Sequence, residues 1–348
     1  MTPREAILHE AGKRILLFDG AFGTMIQARR LQESDFAGDL GLTASQQGNN
    51  DILALTRPDV IADITRSYLA AGSDLVSTNT FSANRISQAD YGAEDLVGEI
   101  NRASAQIARG LADEFANADG KPRFVAGAIG PTNKTLSLSP DVEDPGYREI
   151  DFDFLADVYR EQAAALVAGG TDFILVETIF DTLNAKAAIY AVRTLERELG
   201  REIPLMLSMT LTDLSGRNLS GHTVEAFWHT IRHANPITVG LNCSFGAEQL
   251  RPHVQLLGSI ADTLLLAYPN AGLPNELGEY DERPATTAGL VGEWAQSGSV
   301  NIVGGCCGST PDHIAAIASA VDGLPPRKIP QPPAVTRLAG LEPFTLAA

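Results

Sequence analysis

The chain has 348 residues, 44% hydrophobic and 20% charged, the balance of a globular protein able to bury a large core. Its 43 Asp and Glu outnumber its 26 Lys and Arg, and a net charge of −17 argues against a nucleic-acid partner, which needs a basic face to neutralise phosphates. No apolar run approaches the ~18–20 residues of a membrane span. The start "MTPREAILHEAGKR" lacks the apolar centre of a signal peptide, and three cysteines are too few for a disulfide framework, so a cytoplasmic protein is expected.

In chain order, the first short apolar run is "RILLFDG", followed by an insertion from about Arg30 to Asp51. "PDVIADITRSYLAAG" reads as a helix, with Pro58 in its first turn, apolar residues at a period of 3.6 and Gly72 at its close. The runs "SDLVSTNTF" and "RFVAGAIGP" come next, then a second insertion, "NKTLSLSPDVEDPGYREI". The helical stretch "DFDFLADVYREQAAALVAGG" leads into "TDFILVETIFD", and "TLNAKAAIYAVRTLERELG" follows it. "IPLMLSMTLTD", "PITVGLNCS", "DTLLLAYPNAG" and "VNIVGGCCG" bring the runs to eight, and "TPDHIAAIASAV" opens on a Thr310 cap with Pro311 at the first helical position. Each run is short, rich in Ile, Leu and Val, and lacks clean polar alternation, as strands buried on both faces of a parallel sheet do.

Eight strand–helix units predict an α/β protein, a single-domain (β/α)8 TIM barrel over residues 1–323, with inserted loops after strands one and three. A doubly wound sheet is the alternative, but no GxGxxG follows the first strand. Residues 324–348 read as a proline-rich linker and tail, whose short apolar end suits docking to something else.

In a barrel the chemistry sits at the C-terminal ends of the strands. Those ends carry Asp19-Gly20, Asn79, Gly130-Pro131-Thr132, Glu177, Asp213, Cys243, Asn270 and Cys306-Cys307. All three cysteines therefore belong to strands six and eight. A vicinal disulfide needs a strained ring and leaves Cys243 unexplained. Tight packing of small residues in "GGCCG" is a second reading, with a phosphate cradle as its variant. A third is a metal: three thiolates suit zinc and leave one tetrahedral position open. Spacing alone, without CxxC, leaves packing and metal both open. The six histidines read as surface or core residues, and "GNND" (Gly48 to Asp51) as a turn and helix start.

"GLNCS" and "GGCCG" resemble the zinc-binding segments of the homocysteine S-methyltransferase family. Within that family, "LFDGAFGTMIQ", "GNNDILALTRPDVI", "AGSDLVSTNTFSAN", "GAIGPTNKTLSLSPDVEDPGYREI", "ILVETIFDTLNAKAA" and "AYPNAGLPN" are similar to the homocysteine-binding modules of cobalamin-dependent methionine synthases. The resemblance runs from about Ile15 to Asp322, and "RLAGLEPF" looks like the segment leading to a folate-binding module. It implies zinc on Cys243, Cys306 and Cys307, homocysteine as the substrate, and methylcobalamin as methyl donor. The donor would be supplied by cobalamin-binding and folate-binding modules, expected on a separate chain. It also supports Asp19 and Glu177 as partners of the substrate ammonium. The N–H groups of Gly20, Ala21 and Phe22 are candidates for its carboxylate, and Asn270 for a weak oxygen ligand or a plain turn residue. Asn79 and Thr132 face the mouth without an assigned role. A stand-alone methyltransferase using S-methylmethionine or betaine, and a non-catalytic homocysteine- or zinc-binding protein, are the alternatives.

Overall fold

The structure is a computed structural model and describes residues 1–346. Eight parallel strands form one sheet: β1 (Leu16–Leu17), β2 (Leu75–Ser77), β3 (Phe124–Ile129), β4 (Phe173–Ile179), β5 (Leu205–Met209), β6 (Thr238–Gly246), β7 (Leu264–Asn270) and β8 (Ile302–Val303). Neighbours in sequence are neighbours in space, and β8 pairs back onto β1. The last seam, between β1 and β2, is closed by a parallel bridge from Phe18 to Leu75. Asp74 reinforces it: its carboxylate accepts from Leu17 N at 2.9 Å and from both Arg14 terminal nitrogens at 2.7 Å. The sheet is thus the expected (β/α)8 barrel.

Alternation along the strands separates two cores. Leu16, Phe18, Leu75, Phe124, Ala126, Phe173, Leu175, Met206, Leu264, Leu266 and Ile302 fill the interior. Leu17, Ile174, Val176, Leu207, Val239, Leu265 and Val303 point the other way, into the layer of helices. The helix Pro3–Ala11, started by a Thr2–Glu5 capping box, adds Ile7 and Ala11 to the interior cluster among the first residues of the strands. It plugs the N-terminal end of the barrel. The C-terminal end stays polar, with Ser77, Glu177, Ser208, Asn242 and Tyr268 continuing the inward-facing rows.

The insertion after β1 is folded rather than loose. It holds short helices at Glu33–Ala37 and Leu53–Thr56 and buries Phe36, Gln46, Ile52 and Leu53. The segment from Leu324 contains a buried anchor. Arg327, 4% exposed, donates to Gly258 O at 2.8 Å, Thr263 O at 3.0 Å, Asn301 Oδ1 at 2.9 Å and Ala261 O. Those partners precede β7 and β8, so the segment is strapped to the N-terminal side of the barrel. It ends in a hairpin, β9 (Arg337–Ala339) with β10 (Pro343–Thr345), which packs on the helix Val224–Ile231. "RLAGLEPF" is that hairpin. No helix is long and apolar enough to cross a membrane among the described residues.

Candidate metal centre

The polar end of the barrel opens into a cavity of about 1220 Å3. Cys243, Cys306 and Cys307 line it, and their sulfurs all lie within 4.8 Å of one another. Cys243 Sγ and Cys307 Sγ are 3.9 Å apart. Tetrahedral Zn–S bonds of ~2.3 Å separate two sulfurs by about 3.8 Å, so the three thiols fit one zinc ion. Each is a free thiol, partly exposed to the cavity rather than sealed in the core. That placement favours the metal reading over simple packing. Contact with the Cys243 and Cys306 thiols holds Cys307 well below the usual thiol range, at about 3. Cys306 is pushed up by the same contacts and by burial.

Backbone geometry explains how the sulfurs meet. The pairing of β6 with β7 breaks between Asn242 and Gly246, and Cys243 and Ser244 there have φ of +61° and +60°. Two successive left-handed residues that are not glycine are strained and turn the Cys243 side chain. The pairing of β4 with β5 breaks likewise, between Val176 and Ile179, with Thr178 at φ +54°. Asn242 joins the two irregularities: its Oδ1 accepts from Thr178 N at 3.1 Å and its Nδ2 donates to Thr178 Oγ1 at 2.8 Å. On the other side, Cys306 N donates to Pro269 O at 2.7 Å and Ala271 N to Cys307 O at 2.8 Å, so the cysteine pair flanks Asn270. Gly304 allows β8 to close on β1, since a Cβ there would lie 2.8 Å from Asp19 O.

Two carboxyl groups share the floor. Asp19, 1% exposed, accepts from Ser77 N at 2.7 Å and Ser77 Oγ at 2.9 Å. Burial nonetheless pushes it up to about 8. Glu177 accepts from Tyr268 OH at 3.1 Å, and burial pushes it up to about 7, with the nearby Cys307 charge adding to the rise. No Lys or Arg lines the cavity among the described residues, while Asp19, Asp51, Asp90, Glu177 and Glu279 do. The arrangement suits a ligand that brings its own cation.

The remaining expected residues are close by. Gly20, Ala21 and Phe22 line the cavity, though Ala21 N already donates to Ser309 Oγ at 3.3 Å. Asn270 is buried, and its Oδ1 has no hydrogen-bond donor. Asn79 and Thr132 line the cavity. His313 is structural: Nδ1 closes the Thr310 cap and Nε2 lies 2.9 Å from Glu282 O. Sequence reasoning missed Tyr268, Asn242, Asp51 and Tyr280. Tyr280 stands over the sulfurs, and the Cys307 charge helps push its hydroxyl up to about 12, after burial. Asp51 lies in "GNND", whose pattern reads as a turn and helix start and whose family match implies only a structural role near the mouth.

The homocysteine S-methyltransferase family model matches residues 16–321. The chain belongs to that family. Among solved structures, the oxidised form of the homocysteine methyltransferase MmuM from Escherichia coli is 21% identical, covers 92% of this chain and 99% of its own, and has a TM-score of 0.72. Its metallated form is 22% identical, with coverages of 91% and 99% and a TM-score of 0.72. At such identity these neighbours show the shared barrel. Family membership supports homocysteine methylation as the chemistry of this chain, with the cysteine triad able to hold a metal.

Proposed function

We propose that this chain methylates homocysteine to methionine, taking the methyl group from methylcobalamin carried by cobalamin-binding and folate-binding modules on a separate chain. The observation that carries the reading is the meeting of three thiols in an acidic cavity that no lysine or arginine lines among the described residues. Cys243, Cys306 and Cys307 hold zinc, which when bound supplies the Lewis acidity that deprotonates a further thiol. A free thiol, with a pKa of ~8.5, is mostly protonated at neutral pH, so no side chain need act as base.

The chain's own residues orient the substrate. Asp19 and Glu177 take the α-ammonium, whose charge offsets the burial that keeps both carboxyls near neutrality. Ser77 fixes Asp19 and Tyr268 fixes Glu177. The turn Gly20–Ala21–Phe22 offers N–H groups to the α-carboxylate. Asn270, with its unpaired Oδ1 beside the cysteines, would offer an oxygen to the bound metal. Methylcobalamin, held by the other modules, would supply the methyl group to the homocysteine sulfur and keep the electron pair of the broken carbon–cobalt bond.

Two features support a large donor. The motifs resembling methionine synthase modules span the cavity loops. Loops that follow strands at that end of the barrel also expose apolar side chains: Val142 after β3 (91% exposed), Leu214 after β5 (75%) and Leu277 after β7 (83%). Isolated apolar residues need no explanation, but several on the loops at one end of the barrel suit a docked partner. The test is zinc content and homocysteine-dependent methyl transfer from methylcobalamin, for the native chain and Cys243→Ala. Stoichiometric zinc and transfer, both lost in the variant, are expected. Zinc retained by Cys243→Ala would sink the three-sulfur site. Transfer from S-methylmethionine or betaine but not methylcobalamin would reassign the donor, and zinc without any transfer would make this a binding protein.

A further inference from the structure

The cavity is larger than homocysteine needs. Pockets of about 300–1,000 Å3 suffice for drug-sized ligands, whereas this one measures about 1220 Å3. The sulfurs, Asp19 and Glu177 account for one part of its lining. Another part carries Asp51, Asn79, Tyr91, Thr132 and Asn133. The end of β2 and its exit loop link the two parts, because Ser77, the last residue of the strand, holds Asp19 and Ser82, in the loop, holds Asp51.

We propose that Asp51 heads a second subsite in this cavity, which binds a hydrogen-bond-donating nitrogen of the methyl donor. Asp51 is 6% exposed. Its Oδ1 accepts from Ser82 N at 3.1 Å, the one hydrogen bond its carboxylate makes among the described residues. No lysine or arginine in the lining can satisfy it. A carboxylate this buried with one hydrogen bond is costly, and here burial pushes it up to about 7.

The loop that presents Asp51 is built with care for its polar groups. Asn49 and Gln88 exchange amide hydrogen bonds, Nδ2 to Oε1 at 2.9 Å and Nε2 to Oδ1 at 3.1 Å. Gln46 Nε2 donates to Tyr91 O at 2.7 Å, and Asn79 Nδ2 to Asn50 O at 2.7 Å. Buried and mutually satisfied amides of this kind rigidify what they hold. The open oxygen of Asp51 is therefore fixed rather than free to swing toward another partner.

The inference rests on the methyl-transfer reading above. The ligand chemistry is an N–H donor, neutral or cationic. It has two sources: a carboxamide on the rim of methylcobalamin, or the ammonium of a small sulfonium amino acid. Asp51→Asn keeps the acceptor that Ser82 N uses and removes the charge, so the variant should fold. The experiment measures KM and kcat for methylcobalamin and for S-methylmethionine separately, homocysteine affinity by calorimetry, and zinc content. The expected result is a KM for the working donor raised by about tenfold, with kcat, homocysteine affinity and zinc unchanged. A change confined to methylcobalamin identifies the carboxamide, and one confined to S-methylmethionine the ammonium. An unchanged donor KM overturns the subsite while the methyl-transfer reading stands. Should the native chain transfer from neither, that reading fails. Equilibrium binding of both donors then decides the subsite: weaker binding to Asp51→Asn supports it, equal binding overturns it.

Discussion

Asn242 is fully buried and makes three hydrogen bonds to two neighbouring strands: one to Ser208 Oγ at 2.6 Å on β5 and two to Thr178 on β4. It thereby ties the left-handed turn at Thr178 to the one at Cys243. Asn242→Ala would leave the Thr178 N–H and the Ser208 hydroxyl unpaired in the interior. A loss of about 3 kcal/mol in urea unfolding is expected. Outer residues that orient metal ligands also set metal affinity, so zinc affinity measured against a competing chelator should fall by about 10–100-fold. Unchanged affinity would mean that the main chain alone holds the Cys243 turn. At this scale the cysteines stood out as a rare type at the ends of apolar runs, and the structure brings them to one cavity with Asp19 and Glu177, whose expected role came from the resemblance and not from their positions. The sequence hid Asn242, Ser208 and Tyr268. A polar residue inside an apolar run looks the same whether it faces a helix or the barrel interior, and its partners depend on a register between strands that one sequence does not state.

The loops after β7 and β8 form an interlocked pair over the sulfurs. Gly308 has φ +79°, and a Cβ on it would lie 2.2 Å from Tyr280 Cβ. Its N–H donates to Thr24 Oγ1 at 2.9 Å, which adds the helix Phe22–Gln27 to the assembly. Gly308→Ala should cost about 1–3 kcal/mol in backbone strain and displace Tyr280 from the cysteines. In zinc-free protein, the three thiols should then react faster with a disulfide reagent than in the native chain. Equal rates would show that Tyr280 does not cover them. Strands and long helices were legible as elements because burial on both faces and a 3.6 period leave strong patterns. The insertion after β1 was legible only as a loop. Its short helices lack a periodic stripe, and its purpose, carrying Asp51 into the cavity, depends on contacts with the exit loop of β2.

For the molecule as a whole, eight repeated units sufficed to specify a closed barrel, since right-handed crossovers between parallel strands leave few other arrangements. The segment after Leu324 was less legible. Proline-rich composition says what a segment cannot form alone, and says nothing of the carbonyl groups it meets. Arg327 finds four acceptors there, all uncharged, and burial lowers its pKa to about 10. Arg327→Met keeps much of the stem and removes every donor of the guanidinium. It should lower stability by about 2–4 kcal/mol, read as a fall in the thermal midpoint. Zinc content should not change, because the strap lies at the end of the barrel remote from the sulfurs. A variant that lost zinc would show that the two ends are coupled.

The ring also imposes an order on its own making. β1 is synthesised first and needs β8, which is among the last strands to leave the ribosome. Two of the three thiols follow β8, so Cys243 emerges before the other two members of its cluster. The three-thiol cluster is therefore assembled late in the life of the nascent chain. Until then the earlier strands must wait as an open sheet with two raw edges, which makes this barrel a natural client for chaperones that shield unpaired strands.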